Sequence, residues 1–207
     1  MSQTVIMMII IGLVSYIAWK QPVRMQQWIL NPYKAYHNKE YFRFITSGFI
    51  HANWGHLIFN LFTLFFFGRN VEYTFIDLMG FTKGALAFWT LFITAVVVSD
   101  LPSFFKYKNF PNYNSLGASG GVSAFVFSSI VFYPLQPIYI MFIPIGIPGF
   151  ILGALYLLYS YYQGKQLGDN INHDAHLFGA LYGVLFTVIL FPQSISMFFE
   201  QLKNFSF

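Results

Sequence analysis

The sequence predicts an all-α membrane protein built as a six-transmembrane-helix bundle, and three observations carry that prediction. Only 9% of residues are charged, against about 25% in soluble domains, while 57% are hydrophobic and mean hydropathy is +0.57. Six apolar runs, at about residues 4–19, 49–67, 84–99, 116–133, 137–162 and 175–191, each come near the ~17–25 residues that a helical span needs. These runs take up most of the 207 residues, so a single bundle over 1–207 without an aqueous domain is expected. The setting is a cell membrane, crossed several times, with the lipid bilayer as the first partner.

The run 4–19 has no Lys or Arg before it and no small-residue cleavage pattern before Lys20 and Pro22, so it reads as a retained span rather than a signal peptide. Residues 20–48 mix Trp28, Tyr33, Tyr36, Tyr41, Phe42 and Phe44 with Lys and Arg. That mixture suits the headgroup layer, either as short interfacial helices or as an ordinary aromatic belt. The second run opens with His51, His56 and Asn60; the last two stand at i, i+4 and share a helix face. After the third run, the connection 100–116 leads into a fourth that Pro134 ends and that Gly117, Gly120 and Gly121 begin. From Ser119 to Tyr133 a helix rises only ~22 Å, against a ~30 Å hydrocarbon core. Its start should lie below the membrane surface, with the preceding loop dipping to meet it around a wet cavity. The fifth run holds Pro144, Gly146, Pro148, Gly149 and Gly153. A mobile helix and plain tolerance of such residues in lipid are equal readings of that pattern. The sixth run carries His176, Gly179 and Gly183 at i, i+3 and i+7, one face with room for a close neighbour.

Polar side chains at membrane depth are expensive and mark function by default. Even-numbered spans run in one direction, so the starts of the second, fourth and sixth bring His51, His56, Asn60, Ser119 and His176 to one layer. Gly120, Ala124 and Ser128 repeat every four residues on the fourth span and match the Gly179–Gly183 stripe. Small-xxx-small stripes also serve simply as glue between helices. Asp174 lies two residues before His176, nearly opposite it on a helix, and reads as a solvated residue at the span entrance; His173, one turn before, is expected at the cavity mouth. The absence of cysteine excludes disulfides and thiolate metal sites, and a net charge of +4 without a basic stripe argues against nucleic acid as a partner.

Together, Gly117-Ala118-Ser119-Gly120, the segment from Ala175 to Gly183, and the segment from His51 to Asn60 resemble the rhomboid intramembrane serine proteases. Arg43 after an aromatic in the first loop and Glu72 beyond the second span match as well. The resemblance covers about residues 5–191. It implies a serine–histidine dyad without a third acid, needing no cofactor and no metal and cutting transmembrane segments of membrane-protein substrates. Ser119 would be the nucleophile and His176 the general base. Asn60, His56 and the Ser119 backbone N–H would stabilise the oxyanion, with Gly117, Gly120, His51, Gly179, Gly183, Arg43 and Glu72 supporting. The fifth helix would correspond to the family's lateral gate, and the long first loop to its half-embedded loop. Three departures stand out: Ser123 where the family commonly has a Tyr against the catalytic imidazole, Phe42 where a Trp is usual, and more Lys and Arg on the expected outer side than positive-inside predicts.

Chemically, a neutral imidazole suits the task of taking a serine proton, and a helix N-terminus favours the negative charge of a tetrahedral intermediate. Two other functions fit parts of the pattern. A membrane metallohydrolase would use His51, His56, His173, His176 and Asp174 as zinc ligands, but leaves Ser119 among its glycines unexplained. A non-catalytic rhomboid-like scaffold would bind transmembrane segments without cutting them.

Overall fold

The computed structural model describes residues 1–139, 145–165 and 171–205. These are predominantly helical. Helix α1 (Gln3–Lys20) receives its N-terminal cap from elsewhere in the chain. The buried Glu72 carboxylate accepts from Ser2 Oγ at 2.6 Å, Gln3 N–H at 2.7 Å, Thr4 N–H at 2.9 Å and Thr4 Oγ1 at 2.8 Å. Such a carboxylate satisfies first-turn donors and complements the helix dipole.

Residues 20–48 fold as α2 (Pro22–Trp28), α3 (Pro32–His37) and α4 (Arg43–Thr46), followed by a 3-10 turn at Ser47–Phe49. Proline opens α2 and α3, where its missing N–H has no intrahelical partner to lose, and Asn31 caps α3 by accepting the Lys34 N–H at 2.8 Å. The buried Arg43 gathers the segment. It donates to the carbonyls of Gln26 at 2.9 Å and Ile29 at 2.8 Å and pairs with Glu40.

Helix α5 (Trp54–Met79) starts later and ends later than the expected 49–67. Asn53 sets the start by accepting the His56 N–H at 2.9 Å, so His51 lies in the entering loop and not on the helix. Gly80, at φ 78°, turns the chain into α6 (Phe81–Tyr107), and Gly84 faces the α5 backbone, where an added Cβ would lie 2.6 Å from Ile76 Cα. α6 overruns its expected end at 99, carrying Pro102 within it, because Ser99, Asp100, Ser103 and Phe104 are all buried on a continuing face. The expected connection 100–116 therefore shrinks to 108–118.

Helix α7 (Ser119–Phe132) has 14 residues and, from Gly120 onward, only Val126 is not buried. A helix apolar all round belongs in the middle, and Phe125 packs there against Phe88 and Phe92 of α6. The fifth run is not one helix over 137–162. Strands β1 (Pro137–Tyr139) and β2 (Gly146–Pro148) pair antiparallel, and α8 starts only at Gly149, running to Gln163. Pro148 accounts for the break, since a helix through it would lose a hydrogen bond and drive its ring into a carbonyl one turn back. Pro144 lies outside the described residues. Helices α9 (His173–Leu190) and α10 (Ser194–Lys203) complete the chain; the second has no counterpart in the apolar runs.

Among the described residues three helices are long and apolar enough to cross a membrane: Gln3–Lys20, Phe81–Tyr107 and His173–Leu190. His56, Asn60, Arg69, Asn70 and Glu72 dilute the apolar run of α5, while α7 and α8 are short.

Candidate functional site

The site starts from two helix beginnings. Ser119 is the first residue of α7, with Ala118 as N-cap and Gly117 at φ 125°, a backbone conformation that L side chains rarely adopt. His176 lies in the first turn of α9, whose cap is Asn172, accepting the Ala175 N–H at 3.1 Å. Both Ser119 and His176 are half-buried.

The two helices meet along their small residues. A Cβ on Gly179 would overlap the Gly120 carbonyl, lying 2.9 Å from Gly120 Cα, and one on Gly183 would lie 2.6 Å from Ala124 Cα. One turn further, Thr187 donates to Ser128 at 2.7 Å in a buried hydrogen bond. At the opening end, the Ala175 carbonyl is 3.5 Å from where a Cβ on Gly120 would sit. The immediate neighbours of Ser119 and His176 in the chain therefore face one another.

Two histidines flank the backbone before Ser119. The His56 ring lies against Gly117, with Nε2 2.9 Å from a would-be Cβ there. The fully buried His51 accepts the Ala118 N–H on Nε2 at 3.3 Å, and its Nδ1 is 3.0 Å from Ser15 Oγ. With Nε2 an acceptor, the neutral ring carries its proton on Nδ1 and donates to Ser15, whose hydroxyl in turn donates to the Phe49 carbonyl at 3.1 Å. His51 thereby ties α1 to the loop that presents Ser119, and neither ring nitrogen is left for a metal. Asn60 is buried, one turn below His56, and donates to the His56 carbonyl at 2.8 Å.

The loop is held from two more sides. Ser115 and Leu30 exchange backbone hydrogen bonds at 3.0 and 2.9 Å, and the Gly117 N–H donates to the Ser47 carbonyl at 3.0 Å. Arg43 supports this clamp at one remove, through the Ile29 carbonyl beside Leu30. Asn172, which sequence reasoning missed, also donates to Ser115 Oγ at 3.0 Å while accepting from Ser103 Oγ at 3.1 Å. One amide thus joins α6, the Ser119 loop and the start of α9; its only sequence signal was a cap residue three positions before Ala175.

Not every nominated residue converges here. Glu72 caps α1, 16 positions beyond His56 on α5, or ~24 Å along the helix axis. Asp174 turns toward Lys106, 4.0 Å away, and His173 is buried, edge-on to Tyr159. A cleft of about 450 Å³ lined by Asn70, Tyr73, Tyr133, Gln136 and Gln201 includes none of the nominated residues.

Comparison with known proteins gives a consistent picture. A family profile described as Rhomboid domain matches residues 38–193. The chain is 32% identical over 171 residues to rhomboid-like protein 11, chloroplastic, of Arabidopsis thaliana, covering 77% of this chain and 57% of that protein. To RHOMBOID-like protein 12, mitochondrial, of the same plant it is 29% identical over 143 residues, 66% of this chain and 42% of the relative. The chain spans about half the length of these two relatives.

Proposed function

Because this chain belongs to the rhomboid family, we propose that it is an intramembrane serine endopeptidase that cleaves transmembrane segments of other membrane proteins with a Ser119/His176 dyad. The observation that carries the reading is the backbone contact of Gly179 with Gly120. It sets the beginnings of α7 and α9 side by side, which is the arrangement a dyad split between two helices requires.

In the proposed reaction His176, as neutral imidazole, takes the Ser119 proton while Oγ attacks the scissile carbonyl. The tetrahedral oxyanion forms at the N-terminus of α7, where the dipole and first-turn N–H groups favour negative charge. His56 and Asn60 supply side-chain donors. The imidazolium then protonates the leaving amine, and a water deprotonated by the same ring releases the acyl group. A substrate helix must unwind locally to expose its carbonyl, so segments with Gly, Pro or small polar residues near the cut are preferred over uniformly Leu-rich ones. Six spans are assigned to α1, α5, α6, α7, α8 and α9, in a multi-pass membrane protein. The relatives' names place those proteins in chloroplast and mitochondrion; the setting proposed for this chain is a cell membrane.

The test is purified protein in detergent with a single-span substrate, followed by mapping of product ends. Cleavage by wild type and none by Ser119→Ala, with fluorophosphonate labelling of Ser119 that His176→Ala abolishes, is the expected result. Binding without cleavage or labelling would point to a scaffold. Activity that a chelator removes but Ser119→Ala keeps would point to a metallohydrolase.

A further inference from the structure

The catalytic imidazole proposed above needs something to hold its plane, and the acid nearest in sequence faces Lys106 instead. The Tyr156 ring of α8 lies parallel to the His176 ring, 16° between planes and 6.4 Å between centroids, within the range of offset stacking. Its other neighbour is Phe127 of α7 at 5.8 Å. The phenol is fixed as well: Tyr156 OH and Ser123 Oγ are 3.0 Å apart, and Ser123 stands one turn after Ser119. Tyr156 continues the inward face of α8, where Gly149, Gly153 and Ser160 are buried at i, i+4 and i+11 while Tyr156 takes i+7. On the other side Leu155, Leu158, Tyr159 and Tyr162 are exposed.

We propose that Tyr156 is the positioning residue for His176: its ring, carried by α8 and tethered to α7 through Ser123, holds the imidazole in the plane that proton transfer requires. The base then depends on three helices, since α9 bears the imidazole, α8 the ring against it, and α7 the tether. Displacing α8 outward removes the ring from the base, so the site is competent only with α8 seated. This inference rests on the protease reading.

The test measures kcat and KM on a single-span substrate for wild type, Tyr156→Leu, Tyr156→Phe and the double variant Ser123→Tyr/Tyr156→Leu, which returns a ring from the α7 side. Loss of one aromatic pair corresponds to an effect of up to about tenfold. Tyr156→Leu is expected to lower kcat about tenfold with KM within about twofold, Tyr156→Phe to stay within about threefold of wild type, and the double variant to recover most of the loss. Should the Leu variant not fold, Tyr156→Met, a flexible filler of similar reach, takes its place. Wild type that cleaves while Tyr156→Leu keeps its kcat overturns this inference alone. A loss that neither the ring-keeping nor the ring-returning variant relieves marks a packing defect and also overturns it. Wild type that neither cleaves nor takes a fluorophosphonate ends the protease reading and this one with it.

Discussion

His51 and His56 meet the same short stretch of backbone and differ in what they have left to give. His51 is saturated, accepting from Ala118 and donating to Ser15, whereas His56 is half-buried with its ring against Gly117. His51→Ala strands the buried Ala118 N–H and is expected to cost about 1–3 kcal/mol, read as a lower melting midpoint in detergent. His56→Ala and Asn60→Ala should leave that midpoint nearly in place and instead lower kcat, by about 10²–10³-fold for a lost oxyanion donor. If His51→Ala left stability unchanged and His56→Ala lowered it, the two roles would be reversed. At this scale the polar residues of the site were legible because each is conspicuous in an apolar run. Tyr156 was not, being one of 14 tyrosines in a chain where aromatic residues are ordinary; only the packing of α8 picks it out. Ser15 was hidden likewise, a small hydroxyl whose value comes from a histidine 36 positions away.

Between α7 and α9 the contact is backbone on backbone, with nothing that can yield to a larger side chain. Gly179→Val or Gly183→Val should therefore push α9 away from α7, costing at least the ~1–3 kcal/mol of an overpacked core and nearly all activity, with Gly183→Ala intermediate. Near-wild-type cleavage by Gly179→Val would contradict this. The segment α2–α4 is expected to respond to pH. The Asn38 amide first, and the Arg43 guanidinium next, hold the Glu40 carboxyl below the usual carboxylate range. A lowered folded value means the stabilisation is present above the ordinary carboxylate pKa and lost as pH falls through the folded one. Trp28 fluorescence should report loosening of this segment as pH falls below the ordinary carboxylate range, and Glu40→Gln should remove that transition. The helices here were legible from runs of apolar residues, while their ends were set by Asn53 and by buried faces such as that of Asp100. The prolines and glycines of the fifth run left a mobile helix and plain tolerance equally open; the pairing of β1 with β2 that the fold shows brings Gly146 so close that a Cβ would lie 2.7 Å from Pro137. α10 escaped notice because it is short and mixes polar with apolar residues.

For the molecule as a whole, the six-span proposal puts the connections holding Lys39 and Asn112 on one side, and Lys83 in the first turn of α6 and Lys203 at the end of α10 on the other. All four are exposed and the chain has no cysteine, so single Cys substitutions at these positions can be read one at a time. A membrane-impermeant maleimide is expected to label Lys39→Cys and Asn112→Cys from one face of sealed vesicles and Lys83→Cys and Lys203→Cys only from the opposite face. Labelling of the first two from different faces would refute the arrangement. Composition announced the membrane, but the side each loop occupies is a property of the finished topology, and the distribution of Lys and Arg gave a conflicting hint. The Glu72 carboxylate beneath the first turn of α1 bears on how such a chain is made. An acid there can leave water only when Ser2, Gln3 and Thr4 are ready to receive it. Under the six-span proposal the ribosome delivers those donors before the acceptor, so α5, once inserted, would complete a pairing with a helix that precedes it.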